Sequence, residues 1–155
     1  MTHNDVLRKL RYTFDYTDQQ MINLFAAGGK IVTRAEVSNW LKKDDHEEYK
    51  SLQDIDLAIF LNGFIIDKRG KKDDSIPVPE KTLNNNIVLR KIKIALNLTD
   101  DAIIEVFDQA TFKVSKTELS ALFRKPDHKH YRPCKDQFLR NFLMGLQLKM
   151  KGKND

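Results

Sequence analysis

Apolar residues recur along most of the chain at intervals of three and four positions, a spacing that places them on one face of an amphipathic helix. Four such stretches occur within the first 70 residues. One apolar position from each stretch is Leu10, Phe25, Trp40 and Phe60, and the same pattern returns in the second half of the chain. The pattern predicts four helices in each half and no strand, with Trp40 buried.

Polar residues at the beginnings of these stretches indicate where helices start. Thr33 with Glu36, and Ser115 with Glu118, have the three-residue spacing of a capping box. In this motif the hydroxyl and the carboxylate each accept a hydrogen bond from an otherwise unpaired backbone N–H. Four further helix starts are expected to carry polar N-cap residues, as polar side chains are favoured there. These are Asn4, Thr17, Asn86 and Thr99.

The same unit occurs twice in the chain. A shift of 82 positions aligns residues 4–70 with residues 86–152 without a gap. A match of this length at a fixed spacing indicates internal duplication. A single copy of this size would bury only about 60% of its unfolded surface. We therefore predict an all-α fold in which two tandem copies of a roughly four-helix unit are packed together.

The repeat also predicts the domain boundaries. Residues 1–70 form the first helical repeat, 71–83 a linker, 84–152 the second helical repeat and 153–155 a tail. The linker contains Pro77-Val78-Pro79, and each proline disfavours helix in the residue before it.

Two glycines and one aromatic residue carry further expectations about the helices. Gly63 and Gly145 lie at equivalent positions in the middle of predicted helices, where glycine costs up to about 1 kcal/mol relative to alanine. A closely crossing helix would account for them, and the sequence leaves open whether that helix belongs to the same copy. Phe123 is expected to be buried on the third helix of its copy, at a position neighbouring that of Trp40.

Three sequences carry a resemblance to a known family. They are Asn-Asn-Asn-Ile-Val-Leu-Arg-Lys at 84–91, Phe-Leu-Asn-Gly at 60–63, and Pro-Asp-His-Lys-x-Tyr-Arg-x-Cys-x-Asp-Gln-Phe-Leu-Arg at 126–140. On these motifs the chain resembles, over essentially its whole length, the YehS-like family of small bacterial proteins. The family contains two copies of a domain with no assigned function. The resemblance implies a bacterial, cytoplasmic protein and supplies no activity.

The first copy departs from these motifs. It has His3 before Asn4, and Asp56 where the second copy has Phe138. A site that depends on the longest motif is therefore expected in the second copy.

Composition narrows the class of protein. The chain is 41% hydrophobic and 32% charged, which is typical of a folded protein rather than a disordered one. No stretch approaches the roughly 18 apolar residues of a membrane span, and the first residues lack the pattern of a signal peptide. The single cysteine, Cys134, has no internal disulfide partner. We expect a cytoplasmic protein that does not engage a membrane.

Candidate catalytic or metal-binding residues are few. His128, His130 and Cys134 lie close to Asp127 in sequence, but their spacing differs from that of a closed zinc site, and the first copy has Leu52 in place of Cys134. We interpret the Asp-His pair as a turn that bonds the backbone and the cysteine as a small apolar residue. We predict no metal, no cofactor, no catalytic residue and no enzyme activity.

Positive charge is concentrated in the second copy. The chain carries a net charge of +5, but residues 1–70 sum to −1 and residues 84–155 to +6. A local basic surface is the pattern expected for contact with phosphate groups. The residues that we predict to bind nucleic acid or another partner are Lys116, Arg124, Lys125, Lys129, Tyr131, Arg132 and Lys135.

Two binding functions stay open. Residues 21–43 and their counterparts are similar to a helix-turn-helix, which favours a nucleic-acid-associated module acting through the basic face of the second repeat. Four carboxylates at positions 44, 45, 47 and 48 would repel phosphate in the first repeat. The alternative is a protein–protein adaptor that binds an acidic or helical partner between the repeats. The oligomeric state is left undefined.

Overall fold

A computed structural model describes residues 1–152, and the predicted tail at 153–155 lies outside the described residues. Within the described residues the chain forms eight α-helices and no strand, so the all-α prediction is confirmed. The chain divides into two compact units, Met1–Leu83 and Asn84–Asp155, called the first and second unit below. None of the described helices is long and apolar enough to cross a bilayer.

Each unit contains four helices in the predicted order. The helices of the first unit are α1 (His3–Thr13), α2 (Asp18–Ala27), α3 (Arg34–Leu41) and α4 (Asp54–Arg69). Those of the second unit are α5 (Asn85–Leu96), α6 (Asp100–Gln109), α7 (Lys116–Phe123) and α8 (Asp136–Lys151). Every helix of the second unit starts 82 positions after its counterpart, so the duplicated sequence produces duplicated boundaries.

The predicted capping boxes of α3 and α7 are both formed, and Thr17 and Thr99 cap α2 and α6 as expected. The prediction for Asn4 and Asn86 is wrong. Both helices begin earlier than predicted. The N-cap of α1 is Thr2, and the N-cap of α5 is Asn84. Asn4 and Asn86 are instead buried inside the first turns of these helices.

The core of each unit forms where the second and fourth helices pack together at a glycine. A Cβ added to Gly63 on α4 would lie 1.8 Å from the carbonyl oxygen of Leu24 on α2. A Cβ on Gly145 of α8 would lie 1.9 Å from the carbonyl oxygen of Val106 on α6. Both distances are far inside van der Waals contact, so the helix that crosses each glycine belongs to the same copy.

Trp40 is buried as predicted, and its ring stacks on Phe25 with the centroids 5.1 Å apart. The prediction for Phe123 is wrong, because its side chain is partly exposed. The residue equivalent to Trp40 is Leu122, which is buried. Phe123 lies one position further around the helix, and the Lys93 ammonium sits 4.4 Å from the centre of its ring.

Candidate nucleic-acid interface

The chain between α7 and α8 carries most of the predicted binding residues, and one buried side chain holds it in place. Asn86 Nδ2 donates hydrogen bonds to the carbonyl oxygens of Leu122 and Arg132, both at 2.9 Å. Its Oδ1 accepts a hydrogen bond from the Cys134 backbone N–H at 2.8 Å. A buried amide that satisfies three backbone groups fixes the course of this segment, because leaving those groups unpaired would be costly.

The first unit uses its equivalent asparagine in the same way. Asn4 Nδ2 donates to the carbonyl oxygens of Trp40 at 2.9 Å and Lys50 at 2.8 Å. Its Oδ1 accepts from the Leu52 N–H at 3.0 Å. The two units therefore hold their corresponding segments by the same three backbone contacts.

An arginine one helical turn after each asparagine adds a second contact near the end of the third helix. Arg8 donates to the Lys42 carbonyl oxygen at 2.8 Å, and Arg90 donates to the Phe123 carbonyl oxygen at 2.9 Å. Carbonyls near a helix C-terminus lack helical partners, and a cation is favoured there. The repetition of Asn-x-x-x-Arg in both copies is the sequence signal for this contact, and local pattern analysis missed it.

The histidine of each predicted turn bonds the backbone as expected. His128 Nδ1 accepts a hydrogen bond from the backbone N–H of His130 at 3.0 Å. His46 Nδ1 accepts from the backbone N–H of Glu48 at the same distance. These turns lie in two equivalent segments, which we call the acidic loop (residues 43–50) and the basic loop (residues 125–132).

Cys134 is buried, and burial raises the pKa of its thiol to about 11. The thiol therefore stays protonated near neutral pH, whereas a reactive cysteine requires the thiolate. Within residues 1–152, no group of three or more His, Cys, Asp or Glu side chains is arranged to hold a metal ion. Nothing in this part of the chain points to catalysis.

An open groove of about 580 Å³ separates the exposed side of α7 from the basic loop. We call it the basic groove. The residues that line it are Lys116, Thr117, Glu118, Ser120, Ala121, Arg124, His130 and Arg132.

The basic groove brings together three of the seven predicted binding residues. Lys116, Arg124 and Arg132 line it, and all three are exposed. The other four do not line the groove. Lys125, Lys129 and Lys135 are exposed elsewhere on the segment, and Tyr131 is partly buried.

The basic side chains of the groove form only weak contacts with neighbouring side chains. Lys116 Nζ lies 3.2 Å from Asp101, but both side chains are largely exposed, and such pairs contribute little. Arg124 lies 3.4 Å from His128 Nε2. Glu118 is the groove's carboxylate, and its hydrogen bond from the Ser115 backbone N–H lowers its pKa, so it remains charged.

The equivalent positions of the first unit also carry three basic residues, but Lys42 among them is engaged by neighbouring side chains. Arg34, Lys42 and Lys50 correspond to Lys116, Arg124 and Arg132. Lys42 Nζ, however, lies 3.4 Å from a carboxylate oxygen of the acidic loop and hydrogen-bonds two side chains of α3. The partners of Lys42 are Ser38, Asn39 and Glu48.

The two loops have opposite charge. The acidic loop contains two lysines and four carboxylates, a net charge of −2. The basic loop contains two lysines, one arginine and one carboxylate, a net charge of +2. Each loop keeps a histidine and a tyrosine at matching positions, so the charge has changed while the turn has not.

These features define an all-α protein of two tandem units, with a basic groove in the second unit. The chain belongs to the family described as "Protein of unknown function (DUF1456)", whose model matches residues 3–70 and again residues 85–152. The chain is also similar to "Uncharacterized protein YehS" of Escherichia coli strain K12, at 44% identity over 148 residues and 94% of each chain. The resemblance inferred from the sequence is confirmed. No solved structure matches.

Proposed function

We propose that this protein binds nucleic acid through the basic groove of the second unit, by contacts to backbone phosphates. The observation that carries the proposal is the contrast between equivalent positions of the two units. Lys42 in the first unit lies against Glu48, whereas Arg124 in the second unit faces a groove with His130 at the position of that glutamate. The two turns are otherwise equivalent, but only the turn of the second unit borders the basic groove.

The groups that line the basic groove suit phosphate oxygens. Arg124 and Arg132 each offer a planar fork of donors that fits a phosphate in a bidentate manner. Thr117 and Ser120 add hydroxyl groups on the exposed side of α7, and such groups are common phosphate contacts. Phosphate contacts do not depend on base identity, so we expect binding across sequences.

The role is one of binding without catalysis. The polar side chains of the groove are basic residues, hydroxyls, one histidine and one carboxylate. That carboxylate, Glu118, is engaged in the capping box of α7, and the thiol of Cys134 is buried. Neither groove hydroxyl, Thr117 or Ser120, is hydrogen-bonded to the one histidine of the groove, and covalent catalysis requires a nucleophile paired with an activating base.

Two matched triple variants test the proposal. Lys116→Gln/Arg124→Gln/Arg132→Gln removes three charges from the basic groove. The control, Arg34→Gln/Lys42→Gln/Lys50→Gln, removes three charges from the equivalent positions of the first unit. Both proteins have the same net charge, so a difference between them reports location rather than total charge.

The readout is fluorescence anisotropy of a labelled mixed-sequence oligonucleotide, titrated at several salt concentrations. We expect the groove variant to lose most of the affinity and the control to keep it. The slope of log affinity against log salt should fall by about 2 to 3 in the groove variant, because each lost phosphate contact removes about 0.7 to 0.9. Equal losses in both variants would contradict the proposal. No binding by the natural protein at moderate salt would favour the adaptor function.

A further inference from the structure

Three positions around the basic groove carry planar side chains in the second unit only. Arg124, His130 and Arg132 are exposed and line the groove. The guanidinium and imidazole groups of these residues present flat faces as well as hydrogen-bond donors. The equivalent residues in the first unit have no such faces and are Lys42, Glu48 and Lys50.

We propose that the basic groove binds single-stranded nucleic acid, with unpaired bases stacked on Arg124, His130 and Arg132. This inference rests on the proposed function and names its substrate class. Unpaired bases expose both faces and stack on aromatic rings and on arginine planes, whereas bases in a duplex are already stacked on each other. Lysine would supply the positive charge that phosphate binding needs. The need for charge therefore does not explain why all three positions carry planar groups.

The form of the groove points in the same direction. A recognition helix reads duplex DNA by projecting into the major groove, which is about 12 Å wide. The exposed side of α7, with Lys116, Ser120 and Arg124, instead forms one wall of a groove, and His130 and Arg132 of the basic loop form part of the other. A flexible single strand could follow a groove that is lined from both sides, whereas a recognition helix presents one face to a duplex.

His128 contacts two of the three planar side chains before any ligand arrives, and Asn86 holds the backbone of the third. The rings of His128 and His130 lie 5.5 Å apart, and His128 Nδ1 accepts the backbone N–H of His130. Arg124 lies 3.4 Å from the other nitrogen of His128. Asn86 fixes the backbone of Arg132. Side chains that are ordered in advance lose less conformational freedom on binding, which favours stacking.

The test separates planarity from charge. The variant Arg124→Lys/His130→Gln/Arg132→Lys keeps both permanent positive charges and removes the two guanidinium groups and the imidazole ring. The probes are a labelled 12-nucleotide mixed-sequence single strand and a blunt duplex of the same sequence. We expect the natural protein to favour the single strand. In the variant, affinity for the single strand should fall about tenfold, since stacking contributes strongly per base, and affinity for the duplex should change less than about twofold.

A gain of binding in the first unit provides the reciprocal test. Lys42→Arg/Glu48→His/Lys50→Arg places the same planar set on the equivalent backbone. We expect this variant to bind a second single strand, so that the stoichiometry measured by titration calorimetry rises from one strand per chain to two. Unchanged stoichiometry would count against the inference.

The inference and the proposed function fail in different ways. If the triple glutamine variant loses both probes while the lysine-containing variant loses neither, phosphate binding stands and the single-strand inference is wrong. Equal or tighter binding of the duplex by the natural protein would also overturn the inference alone. If neither probe binds at low salt, both proposals are wrong.

Discussion

The two units build the same four-helix arrangement with different chemistry at matching positions. In the first unit Lys30 Nζ lies 2.6 Å from a carboxylate oxygen of Asp56, and its ammonium is 5.7 Å from the centre of the Trp40 ring. In the second unit the same two positions are Phe112 and Phe138, whose rings meet edge to face with centroids 5.1 Å apart. Both partners have changed together, so each unit keeps a complementary contact.

The acidic and basic loops differ in another way. Their charges are opposite, but the backbone contacts that hold them are the same, through Asn4 in one unit and Asn86 in the other. The difference in this partly buried pair has therefore been compensated within each unit, whereas the two exposed loops keep opposite net charges. An uncompensated difference on an otherwise repeated surface is where we expect the units to diverge in function.

The largest expected effect concerns the third helix of each unit. Trp40→Ala should lower the free energy of unfolding by roughly 3–5 kcal/mol, because a large buried ring is removed. Phe123→Ala should cost about 1 kcal/mol, because its side chain is partly exposed and loses mainly a contact with Lys93. Urea unfolding followed by circular dichroism measures both. Comparable losses from the two substitutions would contradict the burial described for this helix.

Glycines at the helix crossings are expected to give the next largest effect. Gly63→Ala should destabilise the first unit by about 1–3 kcal/mol or more, because the added methyl group would overlap the Leu24 carbonyl. Gly28 is equally crowded, since its Cβ would lie 1.9 Å from the Ile59 carbonyl oxygen.

The second unit supplies the control for Gly28, because it has Ala110 at that position. Gly28→Ala should destabilise by a similar 1–3 kcal/mol, whereas Ala110→Gly should cost no more than about 1 kcal/mol. Thermal and urea unfolding of both variants test this. If Gly28→Ala were neutral, the close approach of α2 and α4 at this position would be wrong.

The exchanged pair should give a smaller effect. Asp56→Phe alone leaves Lys30 beside an aromatic ring without its carboxylate and should be destabilising. Lys30→Phe/Asp56→Phe recreates the pair of the second unit and should recover about 1 kcal/mol, the magnitude of an aromatic pair. A double-mutant cycle in urea isolates this coupling. Additive single effects would show that the two positions are independent.

Local signals in the sequence predicted the helices well, because apolar spacing and capping boxes act within a few residues. Thr33 with Glu36 is an example in which both partners lie in one turn. The role of Asn4 was missed because its partners, the backbones of Trp40 and Lys50, are distant in sequence. A polar residue near a helix start fits the sequence pattern of an N-cap even when it lies inside the first turn. The burial of Asn4, which the structure shows, distinguishes it from an N-cap residue.

The candidate site was predictable in charge but not in shape. The sequence located a basic segment in the second repeat, but it gave no means of separating Arg124 and Arg132 from Lys125 and Lys129. That separation depends on contacts distant in sequence: Asn86 holds the Arg132 carbonyl and the Arg132 N–H donates to the Ala121 carbonyl of α7, whereas the two lysines do not line the groove. His130 was not among the predicted binding residues, and the structure places it in the lining of the groove.

Exchange of the two loops tests the central claim most directly. One chain carries the acidic sequence of residues 43–50 at both loop positions, and another carries the basic sequence of residues 125–132 at both. The turns should be retained, since both sequences keep the histidine that bonds the backbone. Affinity for a labelled single strand is measured at moderate salt against the natural chain. We predict that the chain with two acidic loops loses binding by at least tenfold and that the chain with two basic loops gains a second site. Unchanged affinity in the chain with two acidic loops would contradict the account.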